Sequence, residues 1–148
     1  MKKSEIYTAC VNKQKSKIEE LQSAIDKVQE SIVGEENSTA GNKFETARAM
    51  GQEELDRLNQ TINHAVRDMN ILNQIDAEKS CDSVQLGALI TTDKKVMYLS
   101  IGIGKIELGK ETVFAISGSS PIGRQIMGMK KGETIVFAGK KEKIVSVA

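Results

Sequence analysis

A ladder of apolar residues runs unbroken through residues 4–33 and limits what this chain can fold into. Tyr7, Val11, Gln14, Ile18, Leu21, Ile25, Val28 and Ile32 follow one another in alternating steps of four and three. Only Gln14 among them is polar, and the faces between are rich in Lys, Glu and Gln. That spacing keeps one narrow stripe facing a partner helix, which is a coiled-coil seam rather than the broad apolar face of a helix lying on a globule. A second ladder, Leu55, Leu58, Ile62, Ala65, Met69 and Leu72, follows, and Phe44 and Gly51 extend it backwards in the same register. No proline interrupts either run.

Between the ladders, Gly34 closes the first helix. The stretch Glu35-Glu36-Asn37-Ser38-Thr39-Ala40-Gly41 is polar and turn-prone. Asn42 reads as an N-cap, with Glu45 completing a capping box. The small residues Ala47 and Gly51 permit close approach of the helices near this tip. Two runs of about 30 residues joined by a short loop predict an intramolecular antiparallel pair about 45 Å long, with an intermolecular coiled coil as the competing arrangement. The organisation read from the sequence is a coiled-coil hairpin over 1–76 with its tip near 34–42, a linker over 77–83, and a second domain over 84–148.

From Ser83 onward the apolar spacing becomes strand-like. Candidate strands are Val84–Thr91, Lys95–Ile101, Thr112–Ile116, Thr134–Ala138 and Lys143–Val147, with turns at Asp93-Lys94 and at Gly139-Lys140-Lys141. Gly102-Ile103-Gly104 lacks a following helix and a third glycine at the dinucleotide spacing, so it reads as turn and bulge glycines. One short helix is specified at both ends. Ser120 is its N-cap, Pro121 suits the first helical position, and Gly128 supplies the stop. Ile122, Ile126 and Met129 share a face that can pack on a sheet. The fold class that follows is α+β: a helical hairpin followed by a small antiparallel sheet with one helix.

The stretch from Ile116 and Ser117 through Ser120-Pro121-Ile122-Gly123-Arg124 to Gly132 and Glu133 resembles the signature of the Gre-type bacterial transcription elongation factors, I-S-x-x-S-P-I-[AG]-[RK]-x-[LI]-x-G-x-x-x-G-[DE]. Val84-Gln85-Leu86-Gly87-Ala88-Leu89-Ile90 is similar to that family's opening strand, and Tyr98-Leu99-Ser100-Ile101-Gly102 to a later one. The resemblance implies an FK506-binding-protein-like topology for 84–148, without isomerase activity, because Phe114, Phe137 and Tyr98 do not make up an aromatic-lined pocket. It implies RNA polymerase as partner, contacted through Ser120, Pro121, Ile122, Gly123 and Arg124. The hairpin would enter the polymerase secondary channel, close to the nascent RNA and DNA.

In that family, tip carboxylates help to hold a second Mg²⁺ at the polymerase active site for cleavage of backtracked RNA. Hard oxygen ligands suit that ion, and two-metal geometry stabilises the attacking and leaving oxygens together. The family tip reads D-L-x-E-N-A-E-Y. Aligning its Glu-Asn on Glu36-Asn37 puts Val33 in place of the aspartate. Aligning its continuation on Phe44-Glu45-Thr46-Ala47-Arg48 puts Asn37 and Ala40 at the acidic positions. Glu35 and Glu36 remain as the candidate catalytic and metal-holding residues, against a bland reading as a solvated turn. On the resemblance, no cofactor is bound by the chain alone, and the Mg²⁺ belongs to the docked polymerase.

Other chemistry finds little footing. His64, the single histidine, falls beside the seam and points outward, and no Cys/His spacing resembles a zinc site. Cys10 and Cys81 read as free thiols: continuing the second helix would carry Cys81 about 20 Å past the position facing Cys10. No apolar run approaches a membrane span, and the start lacks a signal-peptide core, so a cytoplasmic protein, monomeric or weakly oligomeric, is expected. Residues 1–81 hold 11 Lys/Arg against 14 Asp/Glu, and residues 82–148 hold 10 against 6. The basic residues of the second half (Lys94, Lys95, Lys105, Lys110, Lys130, Lys131, Lys140, Lys141, Lys143) have no aromatic partners for stacking, so sequence-specific or single-strand nucleic-acid binding is unsupported. Three functions stay open: a Gre-like elongation factor acting as a protein cofactor rather than an enzyme, a non-catalytic occupant of the same channel, and a coiled-coil interaction protein unrelated to polymerase.

Overall fold

The structure, a computed structural model, describes residues 2–36 and 42–148, with the side chains of 35, 36 and 42–44 outside the description. It is α+β: helices α1 (Lys3–Glu36) and α2 (Asn42–Asn73), then strands β1 (Leu89–Thr92), β2 (Val96–Ser100), β3 (Gly104–Leu108) and β4 (Glu111–Ser117), helix α3 (Pro121–Ile126), and strands β5 (Thr134–Phe137) and β6 (Lys140–Val147). The chain divides into two compact units, one of residues 14–69 and one of residues 1–13 with 70–148.

The unit of residues 14–69 is the paired-helix part. Its seam is the one the ladders specify: Ile25 and Leu58 are 4% and 5% exposed and Ala65 is fully buried. Gln14 is also buried, and its Nε2 donates to the Ala65 carbonyl at 2.8 Å. A buried amide without that bond would be costly, and a single polar residue in a seam favours one register over its neighbours. Gly51 lets the helices close up. A Cβ built there would lie 2.9 Å from Ile32 Cγ1. His64 is exposed and pairs with Asp68 at 3.5 Å, in accord with its place off the seam.

Gly34 does not end α1, which continues through Glu36. Only the loss of backbone entropy opposes a glycine inside a helix, and two more residues of good propensity follow it. A Cβ at Gly34 would meet nothing within 4 Å. Gly34→Ala is therefore expected to stabilise the hairpin by about 0.5–1 kcal/mol, read as a raised unfolding midpoint.

In the other unit the sheet order is β3-β4-β2-β1-β6-β5. All pairings are antiparallel except β2 with β4, which run parallel in register Met97↔Phe114 through Ser100↔Ser117. β3 is the return strand that makes this possible, pairing antiparallel with β4 from Gly104↔Ala115 to Leu108↔Glu111. The spacing of glycines around 102–104 hides β3 from a sequence reading. In the structure Gly104, at φ +90°, opens that strand. At the other end, the stretch from Val84 to Ala88 is not strand: Ser83 makes a lone bridge to Lys130 and the regular pairing begins at Leu89.

Both faces of β2 are covered, which explains its nearly continuous apolar run. Met97 and Leu99 join a core with Val84, Ile90, Ile126, Ile135 and Ile144. Tyr98 and Ser100 face the opposite way and are 0% and 2% exposed. There they meet the first turns of α1, where Ile6 and Cys10 are fully buried, and Tyr7 Oη donates to the Leu72 carbonyl at 3.0 Å. Ile6 and Cys10 lie one step off the seam, so the ladder alone does not mark them as core. Residues 76–79 form a turn, with Lys79 N bonded to Asp76 O. The turn folds the chain back, so that Cys81 joins Cys10 and Tyr7 near the Tyr98 hydroxyl, whose pKa is raised first by burial and then by these neighbours.

Candidate functional site

Residues 117–128 are built by interlocking local bonds. Ser120 has extended torsions (φ −69°, ψ 158°), and its Oγ accepts from Gly123 N at 3.1 Å while donating to Ser117 O at 2.6 Å. Pro121 holds the first helical position, as its fixed φ and missing N–H allow. Gly123 must be glycine, because a Cβ there would sit 2.0 Å from the Ser117 carbonyl oxygen. Gly128, at φ +83°, ends the helix and donates its N–H to Val84 O at 2.8 Å. Ile126 is fully buried, and Ile122 and Met129 pack partly against the core.

The five predicted contact residues thus divide. Ser120 and Gly123 are committed to the helix entrance. Pro121 and Arg124 are exposed and Ile122 is half-buried, so these three are presented at the surface.

Ile122 also lines a groove of about 240 Å³ with Phe137, Ala138, Lys95, Lys140 and Glu142. The turn between β5 and β6 forms one wall. Phe137 pairs with Lys140 across Ala138 and Gly139, at φ +53° and +77°. The turn is thus Ala138-Gly139, and Lys140 and Lys141 belong to β6 rather than to the turn expected at Gly139-Lys140-Lys141. Glu142 is 8% exposed and its carboxylate lies 3.5 Å from Lys95 Nζ. Lys95, Ile122 and Phe137 come from three different segments of the chain, so no sequence signal marks the groove. Tyr98, fully buried beside α1, does not line it.

A second polar cluster lies where α1 meets β2. Burial pushes the Cys10 thiol pKa up to about 11, against smaller opposing effects from the Ser100 hydroxyl and Lys13. The Tyr98 hydroxyl is raised as well, mainly by burial. Tyr98 Oη has no hydrogen-bond partner among the described residues. A thiol held protonated is a poor nucleophile, and both cysteines are free.

The side chains of Glu35 and Glu36 lie outside the described residues, as do residues 37–41. Val33, in the position that one tip alignment gives to aspartate, is 56% exposed. Among the described residues no group of three or more His, Cys, Asp or Glu is placed to hold a metal ion, and no helix is long and apolar enough to cross a membrane.

No family model matches the chain, and no curated protein matches it. A solved structure of the transcription factor Gfh1 aligns over 93% of this chain and 92% of that chain, with 12% sequence identity and a TM-score of 0.37.

Proposed function

We propose that this chain is a Gre-like factor that docks on RNA polymerase through residues 84–148 and places its helical hairpin in the secondary channel, where it modulates elongation. The observation that carries this reading is the joint presence, in one short chain, of a long helical hairpin and of the signature segment 116–133. In that segment Pro121, Ile122 and Arg124 are left at the surface. Nothing in this chain is proposed to be a catalytic centre of its own. Any RNA cleavage would take place in the polymerase active site, where Glu35 and Glu36 are the residues of this chain that would help hold a Mg²⁺ supplied with the polymerase.

A second reading is favoured by the altered tip. Val33, Asn37 and Ala40 stand where the two alignments place family carboxylates. A hairpin lacking those groups would occupy the channel and obstruct or reshape the active site without promoting cleavage.

Two variants tested on a stalled, backtracked elongation complex separate the readings. Ile122→Glu is expected to lower polymerase affinity at least about tenfold, because a charge replaces a half-buried apolar contact. Binding that survives it unchanged would count against docking through this surface. The Glu35→Ala/Glu36→Ala double variant is expected to bind normally. Cleavage seen with wild type and lost in the double variant, across a Mg²⁺ series, supports the cleavage role. Altered elongation without cleavage in either protein supports the obstructing role.

A further inference from the structure

The sheet ends on two edge strands, β3 and β5, and an open edge is a template for another strand. The two are protected unequally. On β3 the turn at Gly109-Lys110 pairs Leu108 with Glu111, so the backbone groups of Lys105 and Glu107 point outward. The side chains of these two residues pair at 3.2 Å, and Lys13 Nζ donates to the outward Lys105 carbonyl at 3.3 Å. Charge and a capped carbonyl both discourage strand addition there. β5 reads Thr134-Ile135-Val136-Phe137 and carries no charge. All four residues favour strand, and no proline interrupts them. The turn at Ala138-Gly139 pairs Phe137 with Lys140, so by alternation Ile135 and Phe137 bond to β6 while the backbone groups of Thr134 and Val136 face outward. One of those outward groups is taken. Gln125, exposed on α3, donates its side-chain amide to the Val136 carbonyl.

The structure assigns Gln125 as the guard of the β5 edge: its amide occupies the carbonyl through which β5 would pair, antiparallel, with β5 of a second copy of this chain. The occupant is a second copy because the strand is complementary to itself. About a two-fold axis, Thr134 stands opposite Val136 of the other copy and Ile135 opposite Ile135, so the outward groups of both strands meet in hydrogen-bonded pairs. Lys141 and Lys143 stand one strand back, on β6, and bring no like charges face to face across the new pair. An acidic or basic segment would gain nothing from an uncharged edge. This inference concerns association of the chain with itself and does not rest on the docking reading above.

Sedimentation equilibrium of the full chain tests it. Gln125→Ala is expected to dimerise at least about tenfold more tightly than wild type, because two side-chain hydrogen bonds no longer have to break on pairing. Gln125 is exposed, so the variant is expected to keep the wild-type circular dichroism spectrum. In the ¹⁵N-labelled variant, the outward Val136 amide is expected to become protected from hydrogen exchange as concentration rises. Adding Val136→Pro removes that outward N–H and leaves the β6 ladder intact, so the double variant is expected to return to monomer. Three results overturn the inference: Gln125→Ala associating no more than wild type, a dimer that survives Val136→Pro, or a dimer in which the Val136 amide stays unprotected.

Discussion

Gly123→Ala is expected to be the most damaging single substitution in residues 84–148. The added Cβ would lie 2.0 Å from the Ser117 carbonyl oxygen, 2.9 Å from Ser120 Oγ and 3.0 Å from Gly118 Cα. Two of those three neighbours are backbone atoms, so no rotamer change relieves the overlap. Either α3 moves away from the end of β4 or the Ser120 cap opens. The cap alone is worth about 1 kcal/mol. Displacing α3 also withdraws Ile126 from the core, and the loss of a large buried aliphatic side chain costs about 2–5 kcal/mol. A total destabilisation of about 3–6 kcal/mol is expected, read by chemical denaturation. Gly118→Ala is the control. Its Cβ would meet only the terminal methyl of Met127, at 3.2 Å, and a flexible methionine can give way. Two variants of equal stability would contradict this account of the helix entrance.

The second large effect is a loss of stability in alkali. Cys10 is fully buried, and its thiol is raised from 9.0 to about 11. The folded protein therefore keeps this proton in a range where the unfolded chain has released it. Unfolding releases a proton, so stability is fully present below the unfolded value of 9.0 and falls as pH rises toward the folded value of about 11. Two pH units of such linkage amount to about 2–3 kcal/mol. The raised Tyr98 hydroxyl acts in the same direction. Wild type is expected to lose that much more stability than Cys10→Ala between pH 8 and pH 11, whatever the variant costs at pH 8. Parallel pH profiles would show that the thiol is not the group responsible.

Much of this was legible in the sequence where the signal is local and periodic. The seam residues from Tyr7 to Ile32 and from Leu55 to Leu72 are all buried or half-buried, because a four-three repeat leaves one geometry for two paired helices. The caps of α3 were legible for the same reason: Ser120, Pro121 and Gly128 each meet a local backbone demand. What depends on pairing between distant segments was not. The parallel pairing of β2 with β4 requires β3, whose alternation is weak and lies among glycines. Ile6 and Cys10 look like exposed flanks of a coiled coil until β2 brings Tyr98 and Ser100 against them. The groove combines Lys95, Ile122 and Phe137 from three separated segments, which only the folded sheet brings together. The positive φ of Ala138 is likewise a property of the hairpin, not of the dipeptide Ala-Gly.

The measurement that bears most directly on the central claim is a photo-cross-link from the hairpin tip. A photoreactive phenylalanine analogue placed at Ser38 of the full chain, irradiated in a stalled elongation complex, reports what surrounds that position. The account predicts cross-links to the polymerase catalytic subunit beside its active centre and to the backtracked RNA end, with both lost in the Ile122→Glu background. Cross-links confined to the polymerase exterior, or none in a complex that the chain demonstrably binds, would contradict it.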